Sequence, residues 1–362
     1  MDSSAGIERL APASRLASSA GIPSTRQALQ WLFGLPNHLG AAIAIVALFS
    51  ILVVTLAAVY GASLSLPRER VSVALGYNAV LPVGVAIVIY VVLRLCKTLA
   101  GRGEPNDPAL FQMVATDLTL MGLFLVVTYF HFSLKTWVQV INPNLYDEYY
   151  FAVDRSLQPV LDLFYWIRTS YFTAIPSTDA LYQMAFLLMF ITGFCNLAVS
   201  RSPVYPRFCI GVLLTMSLGA LSYLVAPALG PFIYEPGLNQ RATEAQAGML
   251  WAHEQVMQGG MSWIAEAGPD YFTGALAAMP SLHMSHAAVM TYFIFQARSH
   301  LIGLFLLICF WVVIESVASR WHYLIDLPVG LALAAFVIWL TNRICRDKTR
   351  QVRPAPDAAA PI

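Results

Sequence analysis

Met279-Pro280-Ser281-Leu282-His283 stands at the start of one strongly apolar run, and Ser319-Arg320-Trp321-His322-Tyr323-Leu324-Ile325-Asp326 stands at the start of another. Each run is long enough to cross a bilayer, which takes about 20 apolar residues in an α-helix. Histidine, arginine and aspartate are costly near hydrocarbon and are usually retained there for function. The two stretches therefore predict membrane helices with a functional site at one end.

The composition of the 362-residue chain predicts the same class of protein. Hydrophobic residues make up 58% of the chain and charged residues 11%, whereas a soluble domain carries about 25% charged residues. This balance predicts an all-α fold, a polytopic integral membrane helical bundle. The apolar runs predict about eight transmembrane helices, at residues 40–63, 72–95, 109–132, 178–200, 208–233, 281–297, 300–318 and 322–344.

The distribution of Lys and Arg predicts the orientation of these helices. With eight spans and a cytoplasmic N-terminus, 14 of the 21 Lys and Arg residues fall in inside segments and seven in outside segments. Because cytoplasmic segments carry an excess of these residues, both termini are expected inside. His283 and His322 then both face the periplasmic, extracellular or luminal side of a plasma or inner membrane.

Other classes of function find little support in the composition. The net charge is +1, and no basic face with interleaved aromatic residues predicts a nucleic-acid partner. The five cysteines lie in or beside apolar runs without CxxC spacing, which indicates free thiols rather than disulfides or metal ligands. They are Cys96, Cys195, Cys209, Cys309 and Cys345.

The spacing of His322 and Asp326 predicts chemistry at the outer end of the last span. On a helix, residues four apart share a face, so the carboxylate can orient the imidazole. A histidine oriented in this way, with a second histidine on another segment, suits covalent phosphoryl transfer. His283 is the candidate for that second histidine.

These motifs resemble those of the type 2 phosphatidic acid phosphatase superfamily, membrane enzymes with a Pro-Ser-x-His motif and a later His-x-x-x-Asp motif. The forms Pro-Ser-Leu-His and His-Tyr-x-x-Asp are similar to the inositol phosphorylceramide synthase-like branch, over about residues 279–330. The resemblance implies that His322 attacks phosphorus, Asp326 orients it and His283 protonates the leaving oxygen. It also implies that no cofactor and no metal take part.

Phosphate charge requires donors around the histidines. Pro280 suits the first turn of a helix, which would place Ser281 at a positive helix end suited to anions. Arg320 is the predicted side-chain donor, because a guanidinium group matches phosphate oxygens. The superfamily's Ser-Arg pair lies further upstream, however, and its Lys-rich first motif ending in Arg-Pro is not recognisable. Lys135 and Arg241 are therefore further candidates.

Two more polar residues lie close to the motifs in sequence. His286 follows His283 by three residues and predicts a supporting role, with a metal site of His283, His286, His322 and Asp326 as the alternative. Glu315 lies one turn before Ser319. It either tunes His322 or Arg320, or only pairs at the interface.

Two longer connections are predicted on the outer side. The aromatic-rich segment 142–168 suits helices lying at the membrane interface, with Pro159 near the start of the second one. In segment 235–278, Thr243-Glu244-Ala245-Gln246 fits a capping box and predicts a helix that ends at Gly259-Gly260. That helix is either a lid over the site or a rim helix with no gating role.

We therefore expect a membrane enzyme, a lipid phosphotransferase or phosphatase, that cleaves a lipid phosphate ester and passes the phosphoryl group to an alcohol or water. A pure lipid phosphate phosphatase is one alternative, and a proton-coupled transporter is the alternative of another class. Polar residues gathered at one membrane face argue against the transporter, whose sites lie near the midplane. The predicted segments are a cytoplasmic tail (1–35), added transmembrane helices (36–135), a catalytic membrane domain (136–345) and a second tail (346–362).

Overall fold

The computed structural model describes residues 37–68, 81–99, 108–172 and 181–346. The predicted tails lie outside these ranges, except for residue 346. Within the ranges the chain forms helices and no strands. The helices are α1 (Asn37–Tyr60), α2 (Leu81–Leu99), α3 (Pro108–Ile141), α4 (Asp147–Ser156), α5 (Gln158–Phe172), α6 (Leu181–Val199), α7 (Tyr205–Ser222), α8 (Gln240–Glu266), α9 (Leu282–Gln296), α10 (Ile302–Ala318) and α11 (Asp326–Ile344).

Within the described ranges the apolar runs form helices, but fewer of them have the length of a membrane span, and residues 72–80 and 178–180 of the predicted spans lie outside those ranges. Among the described residues, four helices are long and apolar enough to cross a membrane, and shorter apolar helices occupy Met184–Val199 and Ile302–Ala318. The four are His38–Tyr60, Leu110–Ile141, Tyr205–Ser222 and Asp326–Ile344. The all-helical prediction is confirmed for the described ranges, whereas eight transmembrane helices are not. These apolar helices are compatible with an integral membrane protein.

The centre of the bundle is formed by α7 and α9. Helix α7 packs against α1, α3, α9 and α11, and α9 packs against α6, α7, α10 and α11. Gly219 on α7 leaves room for the side chain of Leu282, which a Cβ at that position would meet. The first turn of α9, which contains Leu282 and His283 of the Pro-Ser-Leu-His stretch, thereby lies in the interior.

Gly330 brings α11 against the start of α9. A Cβ at this position would lie 2.5 Å from the carbonyl oxygen of Ser281. Ser285 Oγ donates to the Gly330 carbonyl at 2.8 Å, and the Ser281 amide donates to the carbonyl of Asp326 at 3.2 Å. Contacts of the main chain therefore hold the two sequence motifs together.

Gly330→Ala is expected to lower the thermal stability of the purified protein. The added methyl group meets backbone, which cannot move aside like a flexible side chain, and such overpacking costs about 1–3 kcal/mol. Melting followed by tryptophan fluorescence in detergent measures the change. Gly303→Ala on α10 is the matched control, because a Cβ there meets nothing within 4 Å. Equal melting temperatures for the two variants would contradict the proposed close contact.

The segments between the long helices form α4, α5 and α8. Pro159 is the second residue of α5, as the sequence predicted. Helix α8 starts earlier than the predicted capping box, because Asn239 caps it and accepts from the Ala242 amide at 2.9 Å. The helix also continues past the Gly259-Gly260 pair, with a local break at Gly260, where φ is 57°.

Candidate active site

His322 lies in the turn between α10 and α11. The sequence placed it on a helix with Asp326, but α11 begins only at Asp326. The predicted contact is nevertheless present, with His322 Nδ1 3.2 Å from Asp326 Oδ2. The same carboxylate oxygen accepts from the Tyr323 amide at 2.9 Å. The turn that precedes α11 therefore brings the His322 ring against Asp326, the first residue of that helix.

The surroundings of His322 select one form of its neutral ring. Nδ1 lies 2.9 Å from the carbonyl oxygen of Ala278, in addition to Asp326. Since both neighbours are acceptors, the proton of the neutral imidazole belongs on Nδ1, and Nε2 keeps its lone pair. Nε2 lies 3.4 Å from His283 Nδ1. A buried imidazole with an unprotonated Nε2, and with a carboxylate hydrogen-bonded to its Nδ1, is suited to nucleophilic attack.

His283 is the second residue of α9. Its ring packs against Tyr182 and Phe186, with centroids 5.4 and 4.7 Å away. Ser281 caps the helix by accepting from the Met284 amide at 3.3 Å. Pro280 therefore precedes the cap. The sequence had predicted it within the first turn of the helix. The positive end of the α9 dipole still lies beside His283, which favours an anion there.

Arg320 is held by two carboxylates. Its Nη1 donates to Asp154 at 2.9 Å, and its Nη2 forms an ion pair with Glu235 at 2.6 Å. The guanidinium group is fully buried and lies 5.8 Å from the ring centre of Phe151. Its charge is therefore already balanced, and these ion pairs compete with the predicted phosphate contact. The sequence could not indicate this, because the partners come from α4 and from the segment after α7.

Of the other two candidate cations, Lys135 is the closer to the histidines. It lies on α3, partly buried, with Nζ 5.7 Å from the ring centre of Tyr223. Tyr223 in turn packs in one buried cluster with Leu282, the residue before His283. Arg241 is exposed near the start of α8.

His286 and Glu315 are both buried but contact other groups. His286 Nδ1 lies 2.9 Å from the carbonyl of Leu282, one turn back on α9. Glu315 accepts from Ser319 Oγ and Asn239 Nδ2, both at 2.6 Å, and pairs with Arg168 at 3.5 Å. It thus joins α10 to α5 and to the start of α8, and its hydrogen bonds and ion pair are made with these residues rather than with His322 or Arg320.

The alternative metal site is not assembled in the part of the chain that the structure describes. Within those ranges, no group of three or more His, Cys, Asp or Glu side chains is placed to hold a metal ion. His286 is turned to its own helix, and Asp326 Oδ2 is engaged by His322 and Tyr323. The contacts around His322 are those of an imidazole–carboxylate pair.

Three residues around the site were not among those that the sequence assigned to it. Tyr323 Oη donates to Asp147 at 2.7 Å, and Asp154 accepts from the Leu324 amide at 2.8 Å. Two acidic residues seven apart in the aromatic-rich α4 were the available signal. Both carboxylates are buried, whereas a helix at the interface usually keeps its charges in water.

Comparison with known proteins supports one relationship. A family model described as the PAP2 superfamily matches residues 151–340, just over half of the chain. The match includes both motif stretches, and it also covers α5 to α10 completely. Comparisons with curated proteins and with solved structures give no match.

Proposed function

The chain belongs to the PAP2 superfamily, whose members are phosphatases, and from this we propose a membrane enzyme that cleaves a lipid phosphate ester through a phosphohistidine. The observation that carries the proposal is the geometry at His322. Its Nε2 lies 3.4 Å from His283 Nδ1, and its Nδ1 lies 3.2 Å from Asp326 Oδ2. The proposed nucleophile, its proposed orienting acid and the proposed proton donor are thus adjacent.

In the proposed first step, the lone pair of His322 Nε2 attacks phosphorus. The bond from phosphorus to the ester oxygen breaks, and the oxygen leaves with the electron pair and takes a proton from His283. His322 becomes a cationic phosphoimidazole whose Nδ1–H remains hydrogen-bonded to Asp326 and Ala278. Asp326 stabilises the positive charge that develops on the ring, as the carboxylate of a hydrolase triad does.

In the second step, water or an alcohol attacks the phosphohistidine. The attacking oxygen gives its proton to His283, the nitrogen–phosphorus bond breaks, and its electron pair returns to Nε2 of His322. Both histidines then have their starting protonation. The chemistry is the same for a phosphatase and a phosphotransferase, so the two differ only in which acceptor reaches the phosphorus.

The ester must enter between the two rings. In-line displacement places the leaving oxygen opposite the nucleophile, and reacting atoms start about 3–3.5 Å apart. The separation of 3.4 Å between the two nitrogens leaves no room for a phosphoryl group. We therefore expect the partly buried ring of His283 to turn away from His322, within its aromatic surroundings, when the ester binds.

Lys135 and the start of α9 are the proposed partners of the phosphate charge. The ammonium group of Lys135 lies 5.7 Å from the ring centre of Tyr223, which carries no charge that would neutralise it. Ser281 lies at the helix end that favours anions. Arg320 remains a weaker proposal for this role, because Asp154 and Glu235 already neutralise it.

The proposed substrate is a lipid phosphate at the outer leaflet, with transfer to an alcohol favoured slightly over transfer to water. The Pro-Ser-Leu-His and His-Tyr-x-x-Asp forms at residues 280–283 and 322–326 support the synthase-like branch. Apolar helices around the site support a substrate that is presented by the bilayer.

Purified protein given mixed lipid phosphates tests the proposal, with and without a ceramide or polyol acceptor. We expect release of the lipid alcohol and an acid-labile phosphohistidine on the peptide that contains His322. Free phosphate as the product at all acceptor concentrations would replace the transferase by a phosphatase. Absence of turnover and of phosphohistidine with every ester would reject the enzyme and favour the transporter.

His283→Ala is expected to slow the cleavage of different phosphate esters to different extents. A general acid matters most when the leaving alkoxide is basic, and it contributes about 10²-fold or more. Lipid phosphate esters should therefore lose about 10²-fold in kcat, while an aryl phosphate with an activated leaving group loses much less. Steady-state assays with the two substrates measure the contrast. Equal losses would assign His283 to binding or structure instead.

A further inference from the structure

Helix α4 carries two buried carboxylates on one face. Asp147 and Asp154 are seven residues apart, which is two helical turns, and their exposed fractions are 3% and 0%. A buried carboxylate is costly unless hydrogen bonds or a counter-ion satisfy it. Both are satisfied, and their partners lie largely in the segment 319–325, which contains His322.

The two carboxylates form hydrogen bonds with this segment on both sides of His322. Asp154 accepts from Arg320 Nη1 at 2.9 Å and from the Leu324 amide at 2.8 Å. Asp147 accepts from Tyr323 Oη at 2.7 Å. Three residues that flank His322, namely Arg320, Tyr323 and Leu324, are therefore anchored to α4.

Asp147 also supports His322 by a second route. Its carboxylate accepts from the amides of Leu229 and Gly230, at 2.9–3.0 Å. The neighbouring Ala228 carbonyl accepts from the Ala278 amide at 2.9 Å. The carbonyl of Ala278 in turn accepts from Nδ1 of His322 at 2.9 Å. Through these contacts Asp147 positions both Tyr323, the residue after His322, and the carbonyl of Ala278, which accepts from the His322 ring.

The segment needs anchors beyond its first residues, because the main-chain hydrogen bonds that cap α10 end at the amide of His322. It lies between the end of α10 at Ala318 and the start of α11 at Asp326. Arg320 adopts φ of 58°, the left-handed conformation common at helix C-termini, and the amides of Arg320 and Trp321 donate to the carbonyls of Val317 and Ser316 at 2.9 and 3.0 Å. From this cap the Arg320 side chain extends to its ion pairs with Asp154 and Glu235.

We infer that Asp147 and Asp154 are positioning residues for His322, and that Tyr323 and Arg320 are the side chains through which they act. The inference rests on the proposed function in so far as it concerns turnover. It gives Arg320 a task other than binding phosphate. It also explains why two acidic residues lie buried in a helix that was expected at the interface.

Tyr323→Phe is the sharpest test, because it removes one hydroxyl and keeps the ring. We expect kcat on lipid phosphate to fall about tenfold or more, because small displacements of a reacting group are costly. KM should stay within about twofold, since the substrate-binding groups are unchanged. Asp154→Asn, which keeps an acceptor but removes the charge facing Arg320, should act in the same direction.

Tyr150→Phe is the matched control. Tyr150 lies on α4 and its ring is 5.7 Å from that of Tyr323, but its hydroxyl donates to the Ala226 carbonyl at 3.4 Å. We expect near wild-type kcat for this variant. If Tyr323→Phe and Tyr150→Phe have the same kcat and KM, the positioning role is wrong.

A readout that does not require turnover separates this inference from the proposed function. Diethyl pyrocarbonate labels accessible neutral imidazoles, and mass spectrometry reports each histidine separately. Tyr323→Phe should raise labelling of His322 severalfold and leave the equally buried His286 unchanged. A rise at both histidines would indicate general loosening and overturn the inference, as would no rise at His322. A wild-type protein inactive on every phosphate ester would reject the proposed function while leaving this labelling test intact.

Discussion

His322→Ala is expected to abolish turnover, with kcat reduced by about 10⁵-fold or more. Removing the nucleophile or the base of a hydrolase triad costs about 10⁶-fold, and in the proposed mechanism His322 is the only group that bonds to phosphorus. The acid-labile phosphopeptide should disappear with the activity. Rapid-quench trapping and steady-state assays of the purified variant measure both.

The control for this variant is His300→Ala, in the exposed connection between α9 and α10. It removes an imidazole from the same protein without touching the buried cluster and should keep wild-type turnover. Both variants should elute from size exclusion like the wild type. Near wild-type activity of a correctly folded His322→Ala protein would rule out the covalent mechanism.

Asp326→Asn is expected to reduce kcat by about 10³-fold. In a serine-protease triad the corresponding change costs about 10⁴-fold, because the histidine adopts the wrong tautomer. Here the carbonyl of Ala278 lies 2.9 Å from the same nitrogen and continues to favour the proton on Nδ1. The variant should therefore lose the stabilising charge while keeping most of the ring orientation.

The size of this loss is informative in both directions. A loss below tenfold would show that Asp326 does not stabilise the cationic ring. A loss as large as that of His322→Ala would show that the Ala278 carbonyl cannot hold the tautomer without the carboxylate. Asp162→Asn, at an exposed position on α5, is the control for removal of a carboxylate.

Local spacing was sufficient to predict part of the site. His322 and Asp326 are four residues apart, so a contact between them follows from almost any compact turn or helix. The second histidine could be paired with them because both motifs were predicted at the same membrane face. The path of the chain around His322 was not predictable in this way, since the apolar run concealed that α11 begins four residues later.

Distant partners account for most of what the sequence missed. Arg320 suggested a phosphate donor by its charge and position, but its partner Asp154 is 166 residues away in the chain. The role of Asp147 depends on the segment after α7 and on Tyr323, 176 residues away. The lengths of the helices were not predicted correctly either, because an apolar run continues through the turn that ends a helix.

The shortness of α9 has a consequence for how a lipid reaches His283. Its 15 residues extend about 22 Å, whereas the hydrocarbon layer is about 30 Å thick. With its first turn at the outer boundary, a helix of this length ends several ångströms short of the inner one. On the proposed topology, the histidine pair at this first turn therefore lies at the level of the outer leaflet's headgroups. A membrane lipid would then present its phosphate by sideways diffusion within its own leaflet, without being lifted into water.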